Sequence, residues 1–385
     1  MLAEKNICTG CGACAVSCPL NCIEMKADQE GFRYPVIDTT QCISCHKCEV
    51  VCPTLDERRP QTEPKAYAVK HKESSIRISS SSGGIFPALA HFTLANGGAV
   101  CGAGYADDFC VNHLIIEDSA EISKLQGAKY AQSCVEHLFP KIQNILECGR
   151  LMLFVGTPCQ VAGLKAYLEK DYANLILVDM ICHGVPSPKV WEKYLRERTA
   201  LDSSGSLEHI NLRSKKSGWS RYSYSVEIKY SDGSIYLSPQ GQDWFMRGFT
   251  ENLYLRRSCG NCNFKGVHRI SDLTLGDFWG IWDLAPEFDD NQGVSLLWLN
   301  SKKATRLWEH VSDDFDALSI PINNSVCKNP SAWSSSQPHS QREKFFAQVD
   351  TAAVIPLIQT ILAPTKQKRN LFQRLINRLK WNTDA

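Results

Sequence analysis

Apolar and polar positions along this chain fall into short blocks that alternate between strand-like and helix-like periods. Residues 66–71 (AYAVKH) read as a strand, and residues 83–95 as a helix closed by Asn96-Gly97-Gly98. Residues 99–105 and 109–116 predict a hairpin. Residues 151–155 and 175–181 are short apolar runs, each followed by a turn and a helix. That is the rhythm of an α/β unit with a mostly parallel sheet. From about residue 205 the pattern changes. YSVEIKY-SDG-SIYLSP predicts a hairpin with an Asp-Gly turn. A helix over 244–255, strands around Leu273 and Leu296, and a helix near Leu307 follow. This second region is α+β, with the option of sharing the first region's sheet.

Composition adds little until the cysteines are counted. The 385 residues are 43% hydrophobic and 22% charged, which is ordinary for a globular chain with two or three cores. A net charge of +1 gives no bulk attraction to nucleic acid, and no nucleic-acid partner is expected. No apolar run approaches the roughly 18 residues of a membrane-spanning helix. The start MLAEKNICTGCGAC has no apolar signal core, so the expectation is a cytoplasmic protein. The tail QKRNLFQRLINRLKW is a basic amphipathic helix, with Leu371, Phe372, Leu375, Ile376 and Leu379 on one face. It is expected to dock on its own domain or on a second copy of the chain, giving a homo-oligomer. Weak contact with a membrane surface is the alternative.

Nine of the 18 cysteines stand at or before Cys52. Cys8-x2-Cys11-x2-Cys14-x3-Cys18-Pro19 is followed by Cys42-x2-Cys45-x2-Cys48-x3-Cys52-Pro53. This is the spacing of two-cluster bacterial ferredoxins, in which the fourth cysteine of each run crosses to the other 4Fe-4S cluster. One cluster is expected on Cys8, Cys11, Cys14 and Cys52, the other on Cys42, Cys45, Cys48 and Cys18. A zinc module is the competing reading of a lone C-x2-C. Cys22 lies outside the ligand pattern and reads as a packed thiol.

Three further motifs carry chemistry. Ser79-Ser80-Ser81-Ser82-Gly83-Gly84 precedes a helix, where free amides suit a phosphate-bearing ligand, although a serine-rich loop that simply caps a helix is the more common case. Gly156-Thr157-Pro158-Cys159-Gln160 joins a strand to a helix, so Cys159 lies in a first turn that favours its thiolate. Cys182-His183-Gly184 occupies the equivalent place after the next strand. Cys259-x2-Cys262 follows Arg256-Arg257. A third cluster would use Cys159, Cys182, Cys259 and Cys262; unligated thiols or a zinc pair remain the alternative. Cys101, Cys110, Cys134, Cys148 and Cys327 lack partner spacing and read as packing.

SSSSGGIF, GGAVCGAGY, GAKYAQS, VGTPCQVAGLK, CHGVPSP and CGNC with LGDFWG, in this order, resemble the family of coenzyme F420 hydrogenase/dehydrogenase beta subunits over residues 66–335. The resemblance implies an α/β (α+β) flavoprotein core behind a bacterial ferredoxin-like domain. It implies FAD at Ser81, Ser82, Gly83, Gly84, Lys129, Tyr130, Ser133, Thr157, Pro158 and Gln160, with His183 as the catalytic candidate. It also favours the third cluster. The domains expected are a ferredoxin over 1–57, a linker over 58–65, an FAD-binding region over 66–204, an α+β region over 205–340 and a helical tail over 341–385. The function implied is an oxidoreductase that passes electrons between 4Fe-4S clusters and FAD. Its partners would be a redox protein or ferredoxin and a small-molecule hydride donor or acceptor. The alternative is a non-catalytic electron-transfer adaptor for a partner enzyme, for instance in surface-polysaccharide biosynthesis.

Overall fold

The computed structural model describes residues 2–56, 62–219 and 223–363. The first half of the expected linker, residues 58–61, and the amphipathic tail lie outside the described residues. Thirteen strands form three sheets among the described residues. A hairpin of β1 (Ile23–Ala27) and β2 (Arg33–Ile37) belongs to the cysteine-rich N-terminus. The main sheet holds eight strands: β3 (Lys65–His71), β4 (Ala99–Tyr105), β5 (Val111–Ile116), β6 (Met152–Val155), β7 (Leu175–Met180), β11 (Leu273–Asp277), β12 (Ser295–Leu299) and β13 (Phe315–Ile320). A three-stranded meander of β8 (Leu207–Ser214), β9 (Ser225–Tyr230) and β10 (Ile235–Pro239) stands apart.

The main sheet runs in the order β13-β3-β12-β11-β7-β6-β4-β5. Strands β4, β6, β7 and β11 are parallel neighbours, while β5, β12, β3 and β13 pair antiparallel at the two sides. The sheet is therefore mixed, and not mostly parallel as the strand–helix rhythm suggests. The rhythm is right only where a helix returns the chain over the sheet. The last three strands come from the second half of the chain, so that region completes the first region's sheet.

Parallel pairing has a direct consequence for the loops. The segments after β6, β7 and β11 leave the sheet on one edge, side by side, where α/β folds gather ligands. Helix Pro158–Leu168 starts there with a capping box between Thr157 and Gln160 and a proline in its first turn. Helix Pro188–Asp202 starts with the Ser187 side chain accepting from the Val190 amide. The helix expected over 244–255 ends at Thr250, because Asn252 turns left-handed at φ 60°.

Apolar clusters lie on both faces of the sheet. Ile85, Leu89 and Ala90 of helix Ile85–Ala95 pack with Leu307 and Trp308 of helix Lys302–Val311 on one face. Phe139, Ile142, Val161 and Leu164 cover the other, and Cys11, Ala13 and Val51 of the N-terminal domain join the same cluster. The ferredoxin-like domain is thus seated in the core and not merely tethered. A β-carbon at Gly163 would lie 2.7 Å from that of Cys11, so glycine permits the contact.

Candidate functional site

The two cysteine runs fold alike. Gly10 and Gly12 have φ of 68° and 76°, and Ser44 and His46, at the same offsets in the second run, have 54° and 59°. Each run then enters a short helix, Ala13–Val16 or Lys47–Val50. Burial pushes the Cys11 thiol up to about 12, and the charges of Cys52 and Cys8 add to the rise. Cys14 is raised by burial and by Cys11, Cys8 and Cys52. Cys52 thus stands with the first run. Cys18, Cys42, Cys45 and Cys48 line a second cavity together. The last cysteine of each run crosses to the other group, as the spacing leads one to expect.

Cys22 is packed, as its sequence reading has it, and its place is informative. It is buried, lines that second cavity, and lies 3.3 Å sulfur to sulfur from Cys18. The turn after Cys18-Pro19 brings it back onto the ligand group. Cys148 and Cys327 are exposed, not packed, whereas Cys101 is fully buried. Cys148 ends helix Phe139–Glu147 as its C-cap and so faces solvent.

The interior cysteines come from three loops and line one cavity. Cys159 follows β6, Cys182 follows β7, Cys259 lies within a turn over Arg257–Asn261, and Cys262 ends that turn. The Thr157 hydroxyl lies 3.2 Å from the Cys159 sulfur, and the Val185 amide donates to Cys259 at 3.4 Å. Burial raises the Cys159 and Cys182 thiols and pushes Cys259 up to about 12. Four thiolates so placed would repel one another in a desolvated site. A metal centre that takes up their charge removes the conflict.

The cavity wall is cationic. Arg256, Lys265 and Arg269 line it, and Arg269 keeps two buried N–H groups without acceptors. Thr9 of the first cysteine run lines it too, with its buried hydroxyl unpartnered. An iron–sulfur cluster, dianionic overall once its four thiolates are counted, fits that donor set.

His183 lies beside Cys182 on the cavity wall, but its ring is committed. The Asn252 carbonyl oxygen accepts from Nε2 at 2.6 Å, and Nδ1 takes the Ser331 hydroxyl at 3.2 Å. Burial lowers its pKa, so the ring is held neutral. Both ring nitrogens thus have a side-chain partner in this structure.

The remaining candidates form two groups. In the first, the Gln160 amide donates to the Ser133 hydroxyl, which meets His113 Nδ1 at 2.9 Å, while Gln160 also closes the cap at Thr157 and Pro158 starts the helix. The second group surrounds two cations that sequence reasoning missed. Lys215 donates to the carbonyls of Arg77, Ser82 and Gln292, which ties down the Ser81–Ser82 segment. Gly84, at φ 91°, opens helix Ile85–Ala95 with no side-chain cap on its first-turn amides. Arg213 donates to the Tyr130 hydroxyl at 2.8 Å and to Asp277 at 2.7 Å, and stacks on Trp219 and Tyr224. Tyr130 packs on Phe249, and Phe249 on His183, so contacts continue from the serine loop to the thiol cavity. Lys129 stands at the edge, its amine on the Gln126 and Lys124 carbonyls. Neither Arg213 nor Lys215 sits in a motif, and only the fold brings them to this place.

Two family models match this chain, one on each part of the site. The model of the coenzyme F420 hydrogenase/dehydrogenase beta chain, carboxyl terminus, matches residues 149–320, and a 4Fe-4S dicluster domain matches residues 7–55. One component of the F(420)H(2) dehydrogenase of Methanosarcina mazei is 20% identical over 343 residues, covering 83% of this chain and 86% of that protein. The coenzyme F420-dependent sulfite reductase of Methanocaldococcus jannaschii is 25% identical over 167 residues, or 43% of this chain. The match spans 26% of the length of that protein. A ferredoxin-like protein of Sinorhizobium fredii is 44% identical over 52 residues, 12% of this chain and 73% of its own. A chain of the F420-reducing [NiFe] hydrogenase complex from Methanosarcina barkeri superposes with a TM-score of 0.48 at 16% identity, over 78% of this chain and 91% of that one.

Proposed function

The chain belongs to the family of coenzyme F420 hydrogenase/dehydrogenase beta subunits, as an iron–sulfur electron-transfer member, and on that premise we propose that it is an FAD-dependent oxidoreductase with three 4Fe-4S clusters. The observation that carries this reading is the interior cavity. Four cysteines from three loops line it, and Thr9 of the first ferredoxin run forms part of the same wall. Electron relay needs such adjacency between centres.

The residues divide the work. Cys8, Cys11, Cys14 and Cys52 would hold one cluster, Cys18, Cys42, Cys45 and Cys48 the outer one, and Cys159, Cys182, Cys259 and Cys262 the interior one. The uncapped amides after Gly84, with Ser81, Ser82 and Gly83, would hold the FAD phosphates. Lys129, Tyr130, Ser133, Thr157, Pro158 and Gln160 would complete that site. Bound flavin would supply the exchange between hydride chemistry and single electrons. Lys215 holds the serine segment in place, and Arg213 fixes the Tyr130 ring. Asn252 and Ser331 keep His183 neutral beside Cys182, where it acts as a positioning residue. The hydride carrier proposed is a deazaflavin of the coenzyme F420 type.

A second reading, an adaptor that turns over no substrate, draws on the outer end. Ile43 and Val50 are 66% and 80% exposed on the ferredoxin domain, as a docking surface for a redox partner would leave them. No helix among the described residues is long and apolar enough to cross a membrane.

The test is composition followed by reduction. Anaerobically purified protein should contain about twelve irons and one FAD per chain. About eight irons would remove the interior cluster, and absence of FAD would end the flavoprotein reading. Reduced coenzyme F420 should then bleach both flavin and cluster absorbance. A protein that oxidises no hydride donor yet restores a partner's activity would support the adaptor.

A further inference from the structure

Arg256 is 1% exposed, and no carboxylate among the described residues pairs with it. Its guanidinium donates to the Cys8 carbonyl at 2.8 Å, the Gln132 side-chain oxygen at 2.9 Å and the Arg33 carbonyl at 3.0 Å, and it reaches the Cys8 sulfur at 3.8 Å. The ring of Tyr34 lies 4.1 Å beneath it. None of these partners is a carboxylate. A buried charge left with neutral acceptors alone is costly, and a site that keeps one needs an anion nearby.

Two anionic groups are in reach of this one side chain. Cys8 belongs to the first ferredoxin group. Arg256 also lines the interior cavity, three residues before Cys259 and opposite Thr9. The approach is built into the loop, since a β-carbon on Gly10 would lie 2.8 Å from the guanidinium. Gly10 has φ 68°, so the same residue serves the turn and the contact.

We propose that Arg256 is the shared counter-charge of two clusters, the one on Cys8 and the one in the interior cavity, and that it raises the electron affinity of both. The inference rests on the reading that both sites are loaded. Each reduction adds one electron and one unit of negative charge beside the guanidinium. A guanidinium is a fixed charge across the working range. Transfer between the two centres is thus a one-electron step with no coupled proton. A positive charge fixed between donor and acceptor favours the reduced form of each. The cluster on Cys18 and the second run has no such contact and serves as an internal control.

The experiment is an anaerobic redox titration of the full-length holoprotein followed by electron paramagnetic resonance, for wild type, Arg256→Gln, Arg256→Lys and Gln132→Glu. Iron content is measured first on every sample. Eight irons in wild type would overturn the functional reading and this inference with it. With twelve irons, Arg256→Gln should weaken reduction of both clusters by at least about tenfold, or about 59 mV for a one-electron couple. Arg256→Lys should restore most of that, as a merely structural role would not require. Gln132→Glu leaves Arg256 in place but sets a carboxylate on it, and should lower both potentials in the same direction. It decides the matter if Arg256→Gln loses iron. Unchanged potentials in the fully loaded variants, or an equal shift in the outer cluster, would refute the shared counter-charge.

Discussion

Single atoms set the outer end of the proposed relay. The Cys22 sulfur lies 3.3 Å from Cys18 Sγ, within reach of an S–H···S contact once Cys18 is a thiolate ligand. Hydrogen bonds to cluster sulfur stabilise the reduced state. Cys22→Ala is therefore expected to keep full iron content and to make the outer cluster harder to reduce by about threefold, about 30 mV. Redox titration checks this, and loss of iron in the variant would instead make Cys22 a ligand. Spacing alone could not reveal the contact, because it arises from how the chain turns after Pro19. The candidate ligand cysteines are different: within a run two or three residues separate each from the next, a distance that local geometry controls.

Among the elements, the capped start of helix Pro158–Leu168 couples the flavin candidates to the sheet. Gln160 holds Ser133, and Ser133 holds His113, whose Nε2 meets the Val155 carbonyl. Burial pushes the His113 ring down to about 4, against about 6.5 for an exposed histidine. The unfolded chain then binds the extra proton first as pH falls below about 6.5. His113 contributes its full stability above that pH and loses it as pH drops through about 4. Thermal unfolding midpoints should decline across this window in wild type and decline less in His113→Gln. A sequence reading finds the cap, since Thr157, Pro158 and Gln160 are close neighbours. It does not find His113, which reaches the site from β5, a strand distant in the chain.

At the scale of the whole molecule, one carboxylate locks the ferredoxin domain to the core. Glu30 is buried and takes both nitrogens of Arg342, at 2.5 and 2.9 Å, together with Arg257 at 2.7 Å. Removing one partner of a buried pair leaves uncompensated charge, at a cost of about 3 kcal/mol or more. Glu30→Ala is expected to lower the thermal midpoint and to speed proteolysis between the two parts. A variant with an unchanged midpoint and unchanged digestion would show that apolar contact around Cys11 and Ala13 suffices. The same lock positions Arg257, and with it the turn that carries Arg256 and Cys259.

Sequence alone determined what depends on short separations. The two cysteine runs, the Asp-Gly hairpin and the starts of helices Pro158–Leu168 and Pro188–Asp202 are written in neighbouring residues, and each folds as its spacing implies. The strand–helix rhythm found most strands but not their directions, because pairing of β3, β12 and β13 is decided across the sheet. The interior thiols could be proposed as a set, yet only the fold brings Cys159 and Cys182 to Cys259 and Cys262, through parallel neighbours that empty onto one edge. The cationic wall was legible least of all. Arg256 meets Cys8 across 248 residues, and no local pattern records such a contact. Short-range geometry lies in the chain's own spacing, whereas a buried charge is placed by everything that packs around it.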